Sequence, residues 1–168
     1  MATPFASGRQ VATDSVGNAV EDTVIVTVSY SDYNTWQNAV FNPTELADPL
    51  ISGTDVDANG DGLTNLELYL HGLNRSDFHQ EPVQFSDTII AEDRYPTFTF
   101  PILNTISDIT FTIERSIDLS LTDDWSPVAF SEISRSSNGP IDTVTIRTNA
   151  PASSPSDFFR VRFIQTSP

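Results

Sequence analysis

The chain has 168 residues, of which 23 are acidic and 8 basic; every basic residue is arginine and the formal net charge is −15. A charge of that sign argues against nucleic acid and anionic membrane as partners, because both are held by positive patches, and no apolar run approaches the length of a bilayer span. Cysteine is absent, which removes disulfide frameworks and thiol nucleophiles and leaves the redox compartment open.

Residues 8–29 read as two strands and a turn. Gly8 to Asp14 leads into Ser15-Val16-Gly17-Asn18, and Val24, Val26 and Val28 then alternate with Thr23, Ile25 and Thr27. This is a period-two, β-branched pattern. A lone hairpin is marginal in water, so these strands call for a further partner, in the same chain or another. Residues 31–53 read as a mixed connector with a short helical turn between Pro43 and Pro49.

Residues 55–67 carry the strongest signal. Asp55, Asp57, Asn59, Asp61 and Asn65 place oxygen side chains at alternate positions, with Gly60 and Gly62 at sharp turns. Hard cations such as Ca²⁺ take six to eight oxygens at short range, and a loop of this spacing supplies them. Two registers are available. From Asp57, the first, third and fifth positions are Asp57, Asn59 and Asp61, Gly62 is sixth, the Leu63 carbonyl seventh and Asn65 ninth. From Asp55, they are Asp55, Asp57 and Asn59, with Gly60 sixth and Asp61 seventh. The twelfth position, which wants a bidentate Glu, is Leu68 or Leu66. The Asp57 register leads more naturally into the helix that follows, Asp55 stands in reserve, and Glu67 closes the loop if it does so one residue early. A displaced closing carboxylate implies weak binding, down to roughly 10⁻⁴–10⁻³ M.

Thr64 to His71 reads as a short helix that Gly72 ends in a left-handed cap, with Leu66, Tyr69 and Leu70 covering an apolar surface. From residue 83 the pattern is all β. Phe98, Phe100 and Ile102; Ile109, Phe111 and Ile113; Val144 and Ile146; and Phe159, Val161 and Phe163 each alternate with polar neighbours. Residues 134–140 and 149–156 read as loops. Short strands between Pro, Asn, Ser and Gly turns predict an antiparallel immunoglobulin-like β-sandwich.

A catalytic constellation is not legible. There is no G-x-S-x-G, P-loop or G-x-G-x-x-G. His71 reads as a helix-end residue and His79 as surface, and the acidic pairs Glu92/Asp93 and Asp123/Asp124 as solvated turns. Among the aromatics, Trp36 with Tyr33, and Trp125, are candidates to stack on sugar rings; the alternative is that Trp36 pins the connector and Trp125 fills a sandwich edge.

Residues 51–53, 59–67 and 69–73 together resemble a thrombospondin type 3-like bacterial calcium loop with its trailing helix. In large secreted or cell-surface bacterial proteins this unit often precedes a terminal β-sandwich, and residues 95–100, 109–119, 125 and 158–163 resemble such a sandwich. The N-terminal strands resemble the end of a bacterial immunoglobulin-like or cadherin-like repeat. The resemblance implies an extracellular, non-catalytic module that stabilises, spaces, anchors or binds.

The expected organisation is a hairpin over residues 1–30, a connector with the calcium loop and a short helix over 31–80, and a β-sandwich over 81–168. The expected cofactor is one Ca²⁺, held by Asp57, Asn59, Asp61, Leu63, Asn65 and Glu67. Two alternatives remain beside the structural module: a polysaccharide-binding module attached to an enzyme, and a subunit of a fibre or surface assembly formed by strand donation to neighbouring subunits.

Overall fold

The computed structural model describes residues 5–13, 19–27, 30–118, 125–155 and 157–166, and for the first two of these ranges the backbone alone. The N-terminal strands β1 (Phe5–Thr13) and β2 (Ala19–Thr27) pair antiparallel, Phe5 opposite Thr27, as a two-stranded sheet of their own. The turn expected at residues 15–18 lies outside the described residues.

Four short helices follow. Asp32 caps α1 (Tyr33–Val40) by accepting the Thr35 N–H at 2.8 Å. Asn42 and Glu45 form a capping box on α2 (Pro43–Leu46), and Asp48 caps α3 (Pro49–Ser52). Each of α2 and α3 carries Pro at its first turn, where the missing N–H costs nothing. After the acidic loop comes α4 (Asn65–Leu70), which ends at Gly72 with φ +67° and the Leu73 N–H bonded to the Leu68 carbonyl at 2.8 Å.

The remaining strands build two antiparallel sheets, so the fold is the expected mainly-β sandwich. One sheet runs β3 (Gln84–Ile90), β4 (Asp93–Leu103), β8 (Ile141–Thr148), β7 (Phe130–Asn138); the other runs β6 (Ser126–Val128), β5 (Ile109–Ser116), β9 (Phe158–Gln165). Period-two alternation sends one face of each inner strand into the space between the sheets. Phe98, Phe100, Val144 and Ile146 from the first sheet meet Ile113 from the second, and Phe100 packs edge-on against Phe111 and Phe163 at 5.4 Å.

Residues 134–138, expected in a loop, are instead strand β7. Among the described residues β7 pairs only with β8, and it is exposed along nearly all its length, so its Ser-rich composition is that of a solvated edge strand. The two-residue connection between β3 and β4 holds Ala91 at φ 50° and Glu92 at φ 74°. A tight hairpin turn imposes that left-handed backbone even on residues that resist it. Glu92 and Asp93 are exposed there, at the turn and first strand residue, while Asp123 and Asp124 lie outside the described residues.

A second core joins the helical connector to the sandwich. Tyr30, Tyr33, Trp36, Phe41, Leu63, Leu66, Leu68 and Tyr69 form it, with Ile109 and Phe163 of the second sheet packed alongside. Asp108 ties the two bodies together. Its carboxylate accepts the Tyr33 N–H at 2.8 Å and the Tyr69 hydroxyl at 3.1 Å, and its carbonyl accepts the Thr166 N–H at 2.8 Å. Among the described residues no helix is long and apolar enough to cross a membrane.

Candidate metal loop

The loop is held at both ends. Asn65 N–H donates to the Val56 carbonyl at 2.9 Å and Leu66 N–H to the Thr54 carbonyl at 3.1 Å, so residues 57–64 bulge from a closed neck. Leu63 is buried and anchors the bulge in the connector core. Gly60 and Gly62 adopt φ +76° and +92°, a backbone that only glycine takes without strain.

Inside the bulge, Asp57 collects backbone donors. Its Oδ1 accepts the N–H of Gly60 at 2.8 Å and of Asp61 at 3.3 Å, and its Oδ2 that of Gly62 at 2.9 Å. Counted from Asp57 these are positions four, five and six, so the turn winds around Asp57 rather than Asp55, which is exposed at the neck. Two further side chains repeat the motif. Asn59 Oδ1 accepts the Asp61 N–H at 3.1 Å, and Asp61 Oδ1 accepts the Leu63 N–H at 2.9 Å. Asp57, Asn59 and Asp61 are thereby gathered on one short turn, with Asn59 Nδ2 3.0 Å from Asp61 Oδ2.

The pull on Asp61 is directional. Its partial burial raises its pKa, but the Leu63 and His79 N–H groups, the Asn59 amide and the His79 charge outweigh that and hold it below the usual carboxylate range. The His79 N–H donates to Asp61 Oδ2 at 3.0 Å, and Asn59 Nδ2 reaches the Asp77 carbonyl at 2.7 Å. Residues 74–79 are thus a strap across the loop, which the spacing of residues 55–67 gave no means of seeing. His79 is half-buried rather than a free surface residue; its Nε2 meets the Asn74 carbonyl at 2.7 Å. Arg75 in the same strap pairs with Glu45 at 2.8 Å and lies 4.1 Å over the Phe41 ring, which ties the strap to α2 and the connector core.

The later positions are placed differently. Asn65 is fully buried, and its amide donates to the carbonyls of Ile51 at 2.9 Å and Gly53 at 2.8 Å, on the core side of the loop. Glu67 Oε2 accepts the N–H and the hydroxyl of Thr64, both at 2.8 Å, completing a capping box on α4. The Thr64-x-x-Glu67 spacing is itself a helix-start signature, and it was legible in the sequence. Leu68, at position twelve, is buried. The side chains gathered on the one turn are therefore two carboxylates and one amide, those of Asp57, Asp61 and Asn59. That is fewer oxygens than the six to eight that a cation such as Ca²⁺ takes. Among the described residues no group of three or more His, Cys, Asp or Glu side chains stands ready as a metal cage.

The aromatic candidates are corrected by burial. Tyr33 and Trp36 are each 2% exposed, their rings 5.3 Å apart and both within 6 Å of Tyr69, so neither has a face for a sugar. Trp36 pins the connector. Trp125 is half-buried, and one face of its ring is taken by the Arg160 guanidinium at 4.1 Å, itself paired with Glu114 at 2.7 Å.

His71 is the remaining perturbed group. Burial pushes its pKa down to about 4, although its hydrogen bond to the Pro101 carbonyl works the other way. It packs edge-on against Phe163 at 5.4 Å, so it is a neutral core residue at the junction of helix and sandwich rather than a base. No family model, curated protein or solved structure matches this chain.

Proposed function

We propose that the protein is a non-catalytic, calcium-stabilised extracellular module whose acidic loop, on binding one Ca²⁺, fixes the helical connector against the β-sandwich. The observation that carries this reading is the winding of the turn around Asp57, with three successive N–H groups on its carboxylate and Asp61 held ionised beside it. Asp57, Asn59 and Asp61 would contribute side-chain oxygens and Leu63 its carbonyl. Each carboxylate is already oriented, so less conformational entropy opposes binding. The trailing helix buries Leu66, Leu68, Tyr69 and Leu70, so order at the loop is transmitted to the packing between connector and sheet. A secreted setting, where calcium is at millimolar concentration, suits a site with a short donor set.

Calorimetry and thermal melting test the proposal. Calcium at a hundredfold excess over Kd stabilises by about 2.7 kcal/mol. Asp61→Ala is expected to remove most of that gain while changing little in chelator. An absence of binding heat at millimolar Ca²⁺, or an equal loss in both buffers, defeats it.

A further inference from the structure

Lettered in chain order, strands β3 to β9 are A, B, C, C′, D, E and F. The sheets are then A-B-E-D and C′-C-F, the immunoglobulin arrangement in which a strand G pairs antiparallel with F and lies over A. Among the described residues no strand takes that place. β9 pairs with β5 alone, and every second N–H and C=O along its other side lacks a ladder partner.

Open space lies along that edge. A groove of about 390 Å³ lies between β9 and the Leu66–Glu67 turn of α4. A second of about 200 Å³ continues it between β9 and the segment of Glu81, Val83 and Phe85. Glu67, Arg160, Val161 and Phe163 line both. Phe85 packs on the core residue Phe98 at 5.3 Å yet remains 53% exposed, as an A-strand side chain does when nothing lies over it.

Three observations select the occupant. The β1–β2 hairpin has no further strand partner among the described residues, and two strands alone are marginal. Its root is tied to the C-terminal end of β9: the Tyr30 carbonyl accepts the Thr105 hydroxyl at 3.3 Å, Tyr33 N–H bonds Asp108, and the Asp108 carbonyl bonds the Thr166 N–H. Thr27 is three residues from Tyr30, a reach of roughly 10 Å. Because Phe5 is paired with Thr27, β1 starts at that end and runs antiparallel to β9. Charge agrees. Glu67 and Glu81 face the groove with like charge, and burial first and then the Glu67 charge push the pKa of Glu81 up; Arg160 and Arg162 also line it, but both are paired with Glu114. The one basic residue of the hairpin is Arg9, and setting Phe5 against Gln165 brings Arg9 opposite Val161, which lines both grooves with Glu67.

We propose that the open edge of β9 is an acceptor for β1 of the chain's own N-terminal hairpin, giving a five-stranded sheet β6-β5-β9-β1-β2 with Arg9 at the level of Val161. The main-chain ladder supplies affinity and the Arg9 level sets the register.

The absence of cysteine makes a disulfide test clean. In that register Ala12 falls opposite Phe158, at the end of β9 farthest from the hairpin root. Full-length Ala12→Cys/Phe158→Cys is expected to form an intrachain disulfide in most molecules under mild oxidation. Ala12→Cys/Leu50→Cys, with Leu50 exposed on α3, is expected not to. Adding Arg9→Glu to the first pair is expected to lower the yield at least fivefold. No intrachain bridge, a yield equal to the control, or a bridge solely between two chains overturns the proposal, the last by giving the edge to a second copy. Residue-resolved hydrogen exchange on the unmodified chain decides independently of folding in the variants. Protection of all amides from 158 to 165 supports docking, and fast exchange at every second one overturns it.

Discussion

The sandwich and the connector hold themselves together by different chemistry. The hydrophobic core of the sandwich is Phe, Ile and Val meeting across two sheets, and the buried acidic groups of that body, Glu114, Asp142 and Asp157, are each paired with an arginine. The connector core contains three tyrosines and a tryptophan. Its elements are fastened by buried polar ties: Asp108 to Tyr33 and Tyr69, Asn65 to the carbonyls of residues 51 and 53, and Gln37 and Tyr33 to the Ser52 carbonyl at 2.6 and 3.2 Å. A hydrocarbon core responds to volume. A core of short helices pinned by polar contacts responds to charge, protonation and bound ions, because each tie removed leaves a buried group unsatisfied.

The largest effect that separates the two regions is expected at Phe100, which is fully buried between the sheets. Phe100→Ala removes the ring and leaves a cavity, costing about 4 kcal/mol. The loss in a urea titration is expected to be the same with calcium and with chelator; a calcium-dependent loss would show that the cores are not separable. Next comes Asp108→Ala, which strands the Tyr33 N–H and the Tyr69 hydroxyl for about 3 kcal/mol. A change below about 1 kcal/mol would mean that water replaces the carboxylate.

Protonation probes the same junction. The folded pKa of His71 is depressed to about 4 from an ordinary value of 6.5, so between those values the unfolded chain binds the extra proton. The stability that neutral His71 confers is full above pH 6.5, falls as pH drops toward 4, and is lost below that, a change on the order of 3 kcal/mol. His71→Gln is expected to flatten that part of the stability–pH curve; an unchanged slope would remove His71 as its source. The smallest effect is local to the sandwich. Glu92→Gly relieves a left-handed backbone in the β3–β4 turn and is expected to stabilise by about 1 kcal/mol, read as a shift in the urea midpoint.

Much of the sandwich was legible from single-strand patterns. Phe98, Phe100, Ile113, Val144 and Ile146 stand at alternate positions in β-branched or aromatic runs, and they are the residues that meet in the core. β3, β6 and most of β7 are not legible in this way, because they lie at sheet edges with both faces partly wet, where no hydrophobic period marks them. The acidic loop was legible from Asp57 to Gly62, because there the side chains bond to their own neighbours' backbone. It ceased to be legible at Asn65, whose partners lie on the core side of the neck, whereas the part Glu67 takes in the cap of α4 is signalled by its spacing from Thr64.

Local chemistry therefore determined the turn around Asp57, the caps of the short helices and the alternating strands, since each is settled by residues within about one turn or one strand of each other. Tertiary structure alone decided that Tyr33 and Trp36 are buried rather than presented, that Asp108 clamps helix to sheet, and that β9 pairs with β5 on one side only among the described residues. Those outcomes depend on which distant surfaces meet, and no short-range spacing encodes that.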